Sequence, residues 1–222
     1  MKMLKSRLTQ LALSALLAFT ASIHAAELAK HFAQPGGSTV KIEGTSTIHD
    51  WTMEGHLIGG VFEVDPAVSF DPAQEKIAGA NGGKVEAKAQ TVILVRSLHS
   101  GISPATAATA MDGVMQQAMN EPQNPKITYK LTELKVAEGH KANAPFEFES
   151  TGDLTVNGVT KKVVFPVTIA PAGEGKLKIE GKTQMKMTDF KVTPPRPKLG
   201  LGLVRTADEI TVTFNWLVKK AN

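Results

Sequence analysis

From residue 38 onward the chain repeats one pattern, an apolar residue at every second position with polar residues between. Ile210, Val212, Phe214, Trp216 and Val218 alternate with Thr211, Thr213, Asn215 and Lys219. Leu177, Ile179, Met185 and Met187 share one face of a run whose other face carries Lys176, Lys178, Glu180, Lys182, Gln184 and Lys186. A period of two with one apolar face marks a half-buried β-strand, and antiparallel sheets show it because their outer face meets water. The pattern predicts eight strands, near 38–48, 51–64, 84–95, 126–136, 145–156, 159–169, 175–187 and 208–219. Gly59-Gly60, Asn81-Gly82-Gly83 and Pro171 to Gly175 supply turns between several of them. Asn157-Gly158 is the strongest local signal, because both residues tolerate the positive φ that a two-residue type I′ hairpin demands.

Two slips of phase, between Leu131 and Leu134 and between Thr91 and Val92, predict β-bulges. One stretch leaves the strand rhythm altogether. After Ser103-Pro104, the residues Met111, Val114, Met115, Ala118 and Met119 recur at helical spacing until Pro122 and Pro125. The chain is therefore all-β with one inserted helix. Eight meandering antiparallel strands are closed most economically into a barrel, which leaves no unpaired edge.

The ends change the picture of where the chain works. Lys2, Lys5 and Arg7 precede an apolar run from Leu8 to Phe19, and small residues at Ala21, Ser22, Ala25 and Ala26 follow. This is the layout of a secretory signal peptide with an apolar centre too short for a comfortable membrane span. Cleavage after Ala25 gives a signal peptide of 1–25 and a domain of 26–222, exported to the periplasm. It removes three of the 25 basic residues, leaving 22 against 21 acidic ones, a net charge of about +1. With no basic stripe left, nucleic-acid binding is not supported.

Cysteine is absent, which excludes disulfides, thiolate metal sites and cysteine nucleophiles. His31, His49, His56, His99 and His140 lie far apart, without the spacing of a metal site. No nucleophile elbow, phosphate loop or dinucleotide fingerprint is present, so no catalytic residue and no cofactor are assigned. The reading is a binding protein rather than an enzyme. Its inward-facing candidates are Trp51, Phe62, Met111, Met115, Phe146, Phe148, Leu154, Phe165, Met185, Phe190 and Phe214. Periodicity alone leaves them open between an ordinary packed core and the lining of a cavity, since an eight-stranded barrel can do either.

Gly44-Thr45-Ser46-Thr47-Ile48-His49-Asp50-Trp51 resembles the first-strand motif of the YceI-like family of bacterial periplasmic proteins. Gly152-Asp153-Leu154-Thr155-Val156-Asn157-Gly158-Val159-Thr160, with Lys162, Val163 and Pro166, is similar to that family's second-half hairpin. The segment Met187 to Val192 and the closing Asp208-Glu209-Ile210-Thr211-Val212 follow in the family's order. The resemblance spans roughly residues 36 to 220, and the chain departs from the commoner pattern in its His49-Asp50-Trp51 variant and its loop at 193–200.

The resemblance implies a lipocalin-like antiparallel barrel with the helix near one mouth. It also implies an isoprenoid lipid in the interior, either a polyprenyl chain or the tail of a quinone. His49, Arg196 and Arg205, with Lys198 beside them, then become candidate head-group contacts, against the plainer readings of local hydrogen bonding and solubilising charge. The alternative function is a stress-related periplasmic interaction protein whose barrel is only a scaffold. Two further partners stay open: inner-membrane proteins and a second copy of the chain.

Overall fold

At the strongest predicted turn, Asn157 and Gly158 take φ of 49° and 72° and join two long strands residue for residue, with Val156 opposite Val159. The computed structural model describes residues 27–141, 143–197 and 204–221. Its strands are β1 (Ala29–Ala33), β2 (Thr39–Ser46), β3 (Trp51–Gly55), β4 (Gly59–Val64), β5 (Lys84–Val85) and β6 (Ala87–Leu94). They continue with β7 (Lys126–Val136), β8 (Phe146–Val156), β9 (Val159–Pro171), β10 (Lys176–Lys186) and β11 (Thr206–Lys220). One helix, α1 (Ala105–Ala118), stands between β6 and β7.

These elements form eight staves, because three staves are each interrupted once. Strands β1 and β2 both pair with β11, β3 and β4 pair with β2 and β1 in turn, and β5 and β6 both pair with β7. The ladder then runs β7-β8-β9-β10-β11 and returns from β11 to β1, so the antiparallel barrel is closed.

The expected bulge near Leu131 is present. The β7–β8 register shifts between Leu131 and Glu133, and the extra Thr132 donates its hydroxyl to the Thr151 carbonyl at 3.0 Å. The expected bulge at Thr91 and Val92 is not, because both ladders of β6 run through without a shift. The first stave also begins earlier than the alternation indicates, at Ala29.

The two ends of the barrel are built differently. At one, the long connection from residue 65 to 83 sends Phe70 and Ile77 into the core. Phe70 meets Phe62 and, edge-on at 5.9 Å, Phe148, with Phe146, Val64 and Val218 buried around them. Burying side chains of this size stabilises by about 1.5–3 kcal/mol each, and this end is where the core is solid.

At the other end, α1 lies across the opening with none of its residues fully buried. Met111 and Met115 rest on the barrel core, while Ala118 reaches a second cluster formed by Met187, Phe190 and Val192. Polar contacts hold the helix down. Asp112 accepts from the Ser100 backbone N–H at 2.7 Å and pairs with His99 Nδ1 at 2.8 Å, and Arg96 donates twice to Glu121 beyond the helix end.

Candidate functional site

Between the packed end and the helix the barrel is not filled. A cavity of about 460 Å³ occupies the lumen, within the range of small-molecule sites. Three glycines help keep it open. Gly44, Gly152 and Gly181 face inward beneath the rings of Trp51, Tyr129 and Phe214, where a Cβ would collide with the ring. Aromatic rings can therefore lie flat along the wall instead of projecting across the lumen. Phe165 completes this lining, 5.3 Å from Tyr129 and edge-on to Phe214 at 5.9 Å.

Of the candidates read from the sequence, Trp51, Phe62, Met111, Met115, Leu154, Phe165, Met185, Phe190 and Phe214 line this cavity. Phe146 and Phe148 do not. They face inward but sit at the packed end, 0% and 1% exposed, where Phe70 shields Phe148 from the lumen. His49 lines the rim, with its Nδ1 2.7 Å from the carbonyl of Asp50. Arg196 and Arg205 are both exposed and off the cavity wall. Arg205 instead fastens the rim through its backbone, donating to Thr47 Oγ1 and accepting from Thr47 N–H. Lys198 lies outside the described residues.

The rim itself is tied together by the hairpin that the sequence marked most clearly. The Asn157 amide donates to the carbonyls of Phe190 and Lys191 at 3.3 and 3.2 Å and accepts from Asn124. That bracket places Phe190, on the short 3-10 turn Met187–Phe190, over the opening. Lys191 follows in the left-handed region at φ 55°, and the next residue, Val192, is buried beside Phe190 on the cavity wall.

The cavity wall carries little charge. Among its described residues only His49 and Lys186 can be cationic and none is acidic. Its polarity is concentrated in hydroxyls that sequence reasoning did not single out. Tyr129 and Ser150, on adjacent strands, have their oxygens 2.7 Å apart. Burial pushes the Tyr129 hydroxyl above its usual value near 10, with Ser150 partly opposing the shift, so the group is a neutral phenol. Their inward placement was available from alternation, through Ile127, Tyr129 and Leu131 on one strand and Phe148, Ser150 and Gly152 on the next. Among the described residues no three His, Asp or Glu side chains are grouped as metal ligands.

Comparison with curated proteins finds no match. Among solved structures, BcnA from Burkholderia cenocepacia superposes with a TM-score of 0.55 at 23% identity, covering 83% of this chain and 98% of its own. A polyisoprenoid binding domain from Saccharophagus degradans, implicated in plant cell wall breakdown, superposes with a TM-score of 0.59 at 14% identity. That match covers 87% of this chain and 99% of the other. At these identities the two likenesses concern the fold. The YceI-like domain model matches by sequence over residues 33–217, nearly the whole closed barrel, and the chain belongs to the YceI-like family.

Proposed function

We propose that this protein is exported to the periplasm, where it holds an isoprenoid lipid, a polyprenyl chain or a quinone tail, in the lumen of its barrel. The observation that carries the reading is the cavity: about 460 Å³, almost uncharged, closed at one end and covered by a helix at the other. A solidly packed barrel of the same fold would have no such space. The fold likeness to a domain named for polyisoprenoid binding supports the ligand class. The N-terminal layout of Lys2 to Ala25 supports export.

The energetics suit a long apolar chain. Burying ~20 tail carbons at about 0.8 kcal/mol each gives about 16 kcal/mol gross. Association and the freezing of tail rotors remove a large part, leaving an affinity of ordinary biological strength. Met111, Met115 and Met185 suit such a ligand, because unbranched, polarizable thioethers adapt to a flexible tail. The role is carriage or storage, with no reaction assigned to the wall residues.

Native mass spectrometry of protein purified from the periplasm of producing cells tests the reading, followed by organic extraction of the denatured sample. The expected result is a reproducible one-to-one adduct that extracts as an isoprenoid. Protein that is exported but carries no lipid, and that takes up none from added polyprenols, would refute it. Recovery of the uncleaved chain from the cytoplasm would refute export alone.

A further inference from the structure

The lumen contains one polar feature that its apolar walls do not explain. Thr91, Tyr129 and Ser150 stand on three consecutive staves, with Thr91 directly opposite Tyr129 in the β6–β7 ladder. All three face the cavity. Ser150 is only 3% exposed, and its hydroxyl lies 2.7 Å from that of Tyr129. Two hydroxyls carry two hydrogens, and a bond between them uses one. Neither has another hydrogen-bond partner among the described residues. One donor hydrogen is thus left pointing to no acceptor in an apolar space, where an unsatisfied polar group is costly.

Position along the staves adds a second constraint. Ser150 is two residues from Phe148, which belongs to the packed end, and six from Val156 at the mouth-side hairpin. The hydroxyl pair therefore lies toward the inner end of the lumen. Gly152 keeps it there, since a Cβ at that position would fall 2.5 Å from Tyr129 Oη. The cationic wall residues, His49 and Lys186, are remote in kind: they border the strand ends at the mouth, outside β2 and at the last residue of β10.

We propose that Tyr129 and Ser150 form an acceptor-recognition site at the inner end of the lumen, selecting lipids that carry a neutral oxygen, such as a hydroxyl or carbonyl, on the buried part of the molecule. The proposal rests on the lipid-binding reading above and adds orientation to it: the oxygen goes in and apolar chain fills the rest. A neutral oxygen fits because no cation lies beside the pair to balance a phosphate. The raised pKa of Tyr129 agrees with this, as the phenol keeps its proton and remains a donor.

The test compares two probes on full-length mature protein, geranylgeraniol and the hydrocarbon of the same skeleton without the oxygen, both presented in one detergent. Each is titrated into wild type, Tyr129→Phe, Ser150→Ala and the double variant, with tryptophan fluorescence as the readout. Removing both hydroxyls keeps the shape of the wall and leaves no orphaned partner, so the double variant should fold and melt close to wild type. The expected result is that it binds the alcohol about tenfold more weakly, or about 1.4 kcal/mol, while hydrocarbon affinity stays within about twofold. Equal weakening of both probes, or no change for either, would overturn the acceptor site while leaving lipid binding standing. Failure of wild type to bind either probe would overturn the cavity reading and this proposal with it.

Discussion

Gly181 on β10 lies directly opposite Phe214 on β11, and the phenyl ring folds back over it. A Cβ at position 181 would come within 2.5 Å of the ring's Cζ and 2.7 Å of its Cε1, and 3.1 Å from the Pro166 carbonyl oxygen. Carbon atoms in contact sit about 3.5–4.0 Å apart, so in Gly181→Ala the ring must move by about 1 Å. Phe165 stands edge-on beside it at 5.9 Å, and the free direction is the lumen. Overpacking of this kind costs about 1–3 kcal/mol, which lowers the melting temperature of a domain this size by roughly 2–12 °C.

The displaced ring also takes space from the ligand. Excluding about two to three ligand carbons forfeits about 1.6–2.4 kcal/mol, a loss of roughly 15- to 60-fold in affinity. Thermal melts by circular dichroism and fluorescence titration with geranylgeraniol measure the two effects separately. Gly181→Ala combined with Phe214→Leu should regain most of the affinity, since the smaller side chain no longer occupies the wall above residue 181. Affinity within twofold of wild type for Gly181→Ala alone would refute the idea that glycine under an aromatic ring keeps the lumen open.

Three other outcomes are expected. Asn157→Ala removes a residue suited to φ 49° and the amide that donates to Phe190 and Lys191, so it should destabilise by about 1–3 kcal/mol in denaturant melts and speed lipid release. Phe148→Ala should cost about 3–5 kcal/mol of stability yet leave lipid affinity within about twofold, because the ring lies in the packed end. His31 is held below its usual pKa of 6.5, chiefly by burial, so the folded state favours the neutral ring. Its contribution is complete above about pH 6.5 and is lost as pH falls below that value, so melting should drop between pH 7.5 and 5, and less so in His31→Gln.

Most of the barrel was legible because most staves show one apolar face over eight or more residues; the run at 51–64 is an exception, its inward positions passing from Trp51 and Met53 to Phe62 and Val64 across the break between β3 and β4. The start of the first stave was not, for a physical reason. In β1 the order is inverted, with His31 buried and Phe32 about half exposed, so the segment reads as polar inside and apolar outside. Thr91 misled for a related reason: it points into a lumen that accepts a hydroxyl, while Val92 covers Gly59 on the outside, and the phase is never broken.

For the site, alternation says which residues face inward and not how far down the barrel they lie. Phe148 and Phe165 therefore look alike in sequence, and only the plug at residues 65–83 separates core from cavity. Phe70 and Ile77 belong to that plug and follow no period, which hid it. Tyr129 and Ser150 escaped notice because an apolar-lining argument passes over hydroxyls. The helix, by contrast, was plain in its spacing, and Met111 and Met115 are placed on the lumen.

The central claim is that the lumen itself holds the lipid. Its most direct test is the stoichiometry of polyprenol binding, by native mass spectrometry, in wild type and in a variant with the lumen filled by Ile127→Phe and Val212→Phe, both on the cavity wall. The expected result is one lipid per wild-type chain and none on a filled variant that still melts cooperatively. Equal binding by the two proteins would contradict it.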